Sequence, residues 1–213
     1  MMMQRALPLT DFEKQLLQEI KAFRANPSSY AAILEQTRKP HYSGNVLTVD
    51  RVRMRTEEGV AACDEAIAYL KGLRGALPEL ELEYGLVIAA KESCKENGSQ
   101  GAFDTNAVEK LSHLGALDGG QMRTLGEACE VSAFGAGSAR DTFLGWLIGD
   151  GDPDRSSRKH LCNAKWKKVG VAAGPHASEC EMMVIVTLAT HFKIDDEVAK
   201  KLSSFAHLWS TGK

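Results

Sequence analysis

Phe12, Leu16, Leu17, Ile20 and Phe23 recur three and four residues apart. That period puts them on one face of a helix over residues 11–25. The preceding Thr10-Asp-Phe-Glu13 has the form of a capping box, in which each side chain serves the other residue's backbone N–H. Asn26-Pro27 ends this helix and predicts a second, with Asn26 as cap, Pro27 at the first helical position, and Tyr30, Ile33 and Leu34 on its apolar face. Tyr42–Val49 reads as a turn between short extended pieces. Val60, Ile67 and Leu70 mark a helix from Glu58 to Leu73, and Leu86 to Asn97 a further one, stopped at Gly98. Residues 99–123, rich in glycine and small polar side chains, read as a loop. Leu125–Phe134 is a candidate strand, and Ser138 a candidate cap for a helix from Ala139 to Ile148.

Late in the chain the pattern turns to valine-rich runs. Lys168–Ala173 and Met182–Ala189 predict two strands joined as a hairpin through Gly174-Pro-His-Ala-Ser-Glu179. Helices gathered before and between a few antiparallel strands predict an α+β fold. Beyond them, Val198, Leu202, Phe205 and Trp209 fall at i, i+4, i+7 and i+11, one stripe of an amphipathic C-terminal helix. So short a helix does not gain enough from that stripe to stand alone, so it must dock on its own domain or in a partner's groove. The expected organisation is an N-terminal tail at 1–10, a domain at 11–192 and a helical tail at 193–213.

Composition narrows the function classes. The 213 residues are 44% hydrophobic and 25% charged, as in ordinary globular chains, and the net charge of −2 gives nucleic acid no electrostatic reason to bind. No apolar run reaches the roughly 20 residues of a membrane helix. Met1–Pro8 lacks the apolar core of a secretory signal. The five cysteines (Cys63, Cys94, Cys129, Cys162 and Cys180) are odd in number and scattered, which suits reduced thiols in a cytoplasmic protein.

Two segments carry a family resemblance. One is His113-Leu-Gly-Ala-Leu-Asp-Gly119 with Leu125-Gly-Glu127. The other is Trp146-Leu-Ile-Gly-Asp-Gly151, then Asp154-Arg-Ser-Ser-Arg158-Lys-His-Leu161 and Lys168-Val-Gly-Val-Ala-Ala-Gly-Pro-His176. They resemble the histidine-to-"GE" and "GHR…VGVG" segments of the CAP superfamily, whose unit is the SCP domain, in its microbial and protist branch. The resemblance runs from about Phe12 to Phe192. It implies a three-layer α–β–α sandwich with a cleft that in the family commonly holds two histidines and two acids. Matched residue by residue, His113 takes the first histidine and Glu127 the "GE" acid. The second acid falls on Gly149, beside Asp150, and the second histidine falls on Ser157.

With one imidazole lost, His113, Glu127 and Asp150 make a weak zinc set, even if His160 reaches back from a helical segment. A Ser157–His113–Glu127 triad has the right residue types, but Ser156-Ser157 reads as a polar turn without a nucleophile elbow. Asp150, Asp152 and Asp154 alternate as in a calcium loop, yet the closing position falls on Leu161. Arg158, the family's arginine, is expected to tie its loop to acids or carbonyls. His41, His176, His191 and His207 read as structural or surface residues.

The sequence therefore predicts a pseudoenzyme: no catalytic residue, metal or cofactor, a vestigial cleft at His113, Glu127, Asp150 and Ser157, and protein partners met through Val198, Leu202, Phe205 and Trp209. A component of an assembly, cytoskeletal or ciliary, is the expected setting of such a non-secreted domain. Two other classes are a lipid or sterol carrier, which would need a continuous apolar cleft, and a residual metal-dependent hydrolase.

Overall fold

The computed structural model describes residues 9–116, 126–135, 137–198 and 200. Helix α1 (Asp11–Ala25) begins on the expected capping box: the Thr10 N–H donates to Glu13 Oε2 at 2.7 Å and the Glu13 N–H to Thr10 Oγ1 at 3.2 Å. Helix α2 (Ser29–Thr37) starts two residues later than predicted. Asn26 serves it through its backbone carbonyl, which accepts from the Ser29 N–H and hydroxyl, rather than as a side-chain cap. A 3₁₀ turn at Lys39–His41 leads into strands β1 (Tyr42–Ser43), β2 (Val46–Val49) and β3 (Val52–Arg55), an antiparallel three-stranded meander whose last strand the sequence reading lacks. Helix α3 (Val60–Gly72), strand β4 (Glu81–Leu82) and helix α4 (Tyr84–Gln100) follow.

Two expectations fail in this stretch. Gly98 does not stop α4. It lies inside the helix, where an added Cβ would meet the Pro175 carbonyl oxygen at 2.4 Å, so the glycine is there for close approach. The stop is Gly101, at φ +66°, a left-handed cap that glycine adopts without strain. The expected loop at 99–123 contains helix α5 (Ala107–Leu114), which buries Ala107, Leu111 and Leu114 on one face.

Strand β5 (Gly115–Ala116) is followed by β6 (Ala128–Phe134), helix α6 (Ala139–Ile148), helix α7 (Ser156–Leu161), and strands β7 (Lys168–Pro175), β8 (Met182–Ala189) and β9 (Lys193–Ile194). Ser138 caps α6 as expected, in a capping box with Asp141. The predicted hairpin is β7–β8, in register from Lys168↔Ala189 to Pro175↔Met182. The molecule is thus a mixed α+β protein with several sheets.

The chain forms two compact units. The first takes the described residues of 1–15, 80–136 and 165–213. Its sheet runs β4-β7-β8-β6, with β4 parallel to β7 and the other pairs antiparallel. Its core joins Leu86, Ala90 and Cys94 of α4 and Leu111 of α5 to Ala172, Met183 and Ile185 of the sheet. Helix α4 lies so close on β7 that a Cβ at Gly170 would sit 2.3 Å from the Leu86 carbonyl carbon. Buried Glu13 belongs here too: one oxygen accepts from Lys91 Nζ at 2.8 Å and from the Ala173 N–H at 3.0 Å.

The second unit takes 16–79 and 137–164. Phe23, Tyr30 and Phe143 pack edge-to-face with centroids 5.3–5.6 Å apart. Buried Arg24 ties three segments through carbonyls, donating to Pro78 at 2.8 Å, Leu161 at 3.0 Å and Asn163 at 3.2 Å. Arg38 pairs with Asp141, the residue that completes the α6 capping box. Among the described residues no helix is long and apolar enough to cross a membrane.

Candidate functional site

His113 sits in the last turn of α5, exposed. The following turn is fixed because β5 pairs with β9, Gly115 opposite Ile194. Gly115 lies so close to β9 that a Cβ there would be 2.2 Å from the Lys193 carbonyl oxygen. The Asp195 N–H donates to the Leu114 carbonyl at 2.9 Å. Asp195 Oδ1 then accepts from the Glu197 and Val198 N–H groups and starts the helical turn that opens the tail. The result is a depression of about 580 Å³ lined by His113, Lys193, Asp195, Asp196, Glu197 and Val198, among others. Val198, first residue of the apolar stripe, is half-buried and packs on the chain's own core. Leu202, Phe205, Trp209 and His207 lie outside the described residues, as do Asp118 and Gly119 of the first motif and Met1–Pro8.

Glu127 immediately precedes β6. Its N–H donates to Thr190 Oγ1 at 2.9 Å, its carbonyl accepts from the Thr190 N–H at 2.9 Å, and its carboxylate pairs with Lys165. Although His113 and Glu127 belong to the same unit, no hydrogen bond or ion pair joins them.

Asp150 and Ser157 lie in the other unit. Asp150 follows Gly149, the left-handed cap of α6, and spends both oxygens on backbone: Oδ2 accepts from the Glu57 N–H at 2.8 Å and Oδ1 from the Glu58 N–H at 2.9 Å. Asp152 Oδ2 accepts from the Ser156 N–H at 2.6 Å and Oδ1 from the Asp154 N–H at 3.0 Å. Asp150 and Asp152 are therefore turn residues, and Asp154 joins them through its backbone N–H. Ser156-Ser157 is the first turn of α7 rather than a polar loop, and His160 stands one turn from Ser157 on the same short helix.

Two arginines bracket the serines. Arg155 holds Glu58 with two nitrogens, each at 2.5 Å, and also donates to the Gly149 and Asp152 carbonyls. These bonds, with the Gly151 N–H, hold the Glu58 carboxyl down to about 2. Arg158 is buried, donates to both Glu65 oxygens at 2.5 and 2.6 Å and to the Leu147 carbonyl at 3.0 Å, and lies 4.7 Å from the Tyr69 ring centroid. This is the tying role its sequence context implies. Glu58 and Glu65, which complete the network, were not singled out in the sequence. Glu58 lies just before α3, which begins at Val60 rather than at Glu58 as expected, and Glu65 lies within it, so no shared helical face marks the pair in the sequence.

His176 is buried, with Nε2 2.9 Å from the Ala102 carbonyl and Nδ1 2.7 Å from Ser178 Oγ, and its ring packs beside Phe103 and Phe134. Nδ1 braces the hairpin turn and Nε2 ties it to the segment that follows α4. Among the described residues no three His, Cys, Asp or Glu side chains gather closely enough to hold a metal ion. No protein-family model matches the chain, and no curated protein matches it.

Proposed function

We propose that this chain is an SCP-like domain, of three-layer α–β–α type, that has exchanged the family's metal chemistry for structure and acts as a non-catalytic protein-binding module. The observation that carries the reading is where the acids of the candidate cleft are committed. Asp150 gives both oxygens to backbone N–H groups, and Glu127 pairs with Lys165. These donors fix each carboxylate in a structural role and leave a metal only its remaining lone pairs, and at Ser157 a hydroxyl stands where the family has an imidazole. The remaining polar groups hold loops in place, as a scaffold for recognition requires.

The setting we propose is a cytoplasmic assembly, cytoskeletal or ciliary, with the stripe Val198, Leu202, Phe205 and Trp209 as one contact. Two measurements test the reading. Calorimetry with zinc at neutral pH should give binding no tighter than about tens of micromolar, whereas stoichiometric submicromolar binding would overturn it. Native purification should yield a stoichiometric companion that rebinds when both proteins are pure, and a chain that purifies alone and monomeric counts against the reading.

A further inference from the structure

Strand β3 is one of the two edges of the β1-β2-β3 meander, and the longer of them. Its hairpin turns through Asp50 and Arg51, both at positive φ (49° and 68°), the two-residue geometry that matches strand twist. That turn makes Val49↔Val52 the closing hydrogen-bonded pair. Alternation then makes Leu47↔Met54 the next, and the Thr56 N–H bond to the Asn45 carbonyl at 2.8 Å continues the series. The N–H and C=O groups of Arg53 and Arg55 therefore point away from β2, and no strand among the described residues meets them.

The side chains on this edge alternate as well. Val52 and Met54 are 60% and 42% exposed and share a face with buried Leu47, while Arg53 and Arg55 occupy the other face. Arg51, Arg53 and Arg55 have no ion-pair partner among the described residues, unlike Arg38, Arg155 and Arg158. Three arginines against one aspartate make residues 46–55 locally basic in a chain of net charge −2.

We propose that β3 is a docking edge for an extended acidic segment of a partner protein, which adds to the meander as a fourth strand; this rests on the binding-module reading. The edge sets the pattern of the ligand. Acidic residues alternate with aliphatic ones, the acids meeting Arg53 and Arg55 and the aliphatics lying beside Val52 and Met54. A second copy of β3 is a poor occupant, because it would bring arginine against arginine.

The probe is a fluorescein-labelled, end-capped peptide, Ser-Glu-Val-Glu-Val-Glu-Val-Ser, followed by anisotropy at low ionic strength with the full chain. It should bind in the micromolar range. Replacing its glutamates by lysines, or its central valine by proline, should each weaken binding at least about tenfold. Arg53→Glu with Arg55→Glu should reverse the preference between acidic and lysine peptides, and Arg53→Gln with Arg55→Gln should abolish it, both with the melting temperature unchanged. Equal binding of the proline peptide, no binding of the acidic one, or tighter binding of phosphatidylserine vesicles or duplex DNA would each overturn the proposal. A purified companion that still binds the glutamate variant overturns the role of β3 while leaving the binding-module reading standing. Peptide binding without any native companion does the reverse.

Discussion

Arg158 shows how a single side chain can outweigh a motif. It is buried, and its removal would leave the Leu147 carbonyl unpaired, Glu65 without its bidentate partner, and a gap beneath Tyr69. Arg158→Ala should cost about 3 kcal/mol in urea unfolding. Arg158→Lys should recover little, since an ammonium cannot reproduce the planar fork. A cost under about 0.5 kcal/mol for the alanine variant would show the network to be idle. Glu58 carries a pH signature. Its carboxyl is lower in the folded chain than in the unfolded one, so its contribution is complete above the ordinary glutamate range and is lost as pH falls from about 4.5 to about 2. Stability curves of the wild type and Glu58→Gln should differ at neutral pH, modestly because the pair is exposed, and converge near pH 2. The tying role of Arg158 was legible in the sequence. Its partner was not, because Glu65 lies 93 residues away and no local pattern links the two.

At the scale of elements, the sequence spoke clearly where caps, one-faced spacing or an unbroken apolar run mark the element. Helices α1 and α6 begin and end where amphipathic spacing and capping residues put them, and β8 spans the predicted valine-rich run. It misled where glycine serves two ends. Gly98 and Gly101 both look like helix stops, and only the second is one, because the first depends on the Pro175 carbonyl far along the chain. Substitution separates them by sign. Alanine is the better helix former by about 1 kcal/mol, yet Gly98→Ala should destabilise by about 1–3 kcal/mol through overpacking. If it stabilises instead, the close approach of α4 and β7 is wrong. Helix α5 escaped notice because its eight residues sit in a glycine-rich stretch, although Ala107, Leu111 and Leu114 already keep helical spacing. Strands β3 and β4 were missed for another reason: a four-residue strand exposed throughout and a two-residue parallel one carry little periodic signal. The tail belongs to this scale too. Val198 already packs on the core, so deletion of 195–213 should lower the melting temperature by several degrees. If Trp209 anchors a partner, Trp209→Ala should detach that partner with little change in melting temperature.

For the molecule as a whole, burial raises the Cys63 and Cys162 thiols to about 11 and those of Cys94 and Cys129 to about 12. At pH 7.5 these four should react slowly with a disulfide reagent, whereas five should titrate after denaturation. A native count of four or five fast thiols would contradict the burial. The fold class was legible because helices precede late strands. The division into two interleaved units was not, since it depends on contacts between segments scores of residues apart. Glu13 makes that interleaving concrete. It completes the first helix cap and, 160 residues later, receives the Ala173 N–H. A ribosome delivers these partners in order, with Glu13 first, Lys91 next and β7 last of the three. Strand β4 likewise waits for its parallel neighbour β7. Each unit stays open until its last segments have been made: the first needs β7 and β8, and the second needs α6 and α7. The nascent chain must carry an exposed apolar face on α1 until α6 and α7 have been made, and on α4 until β7 and β8 have been, which is the long-range closure that slows folding and leaves open intermediates prone to aggregate.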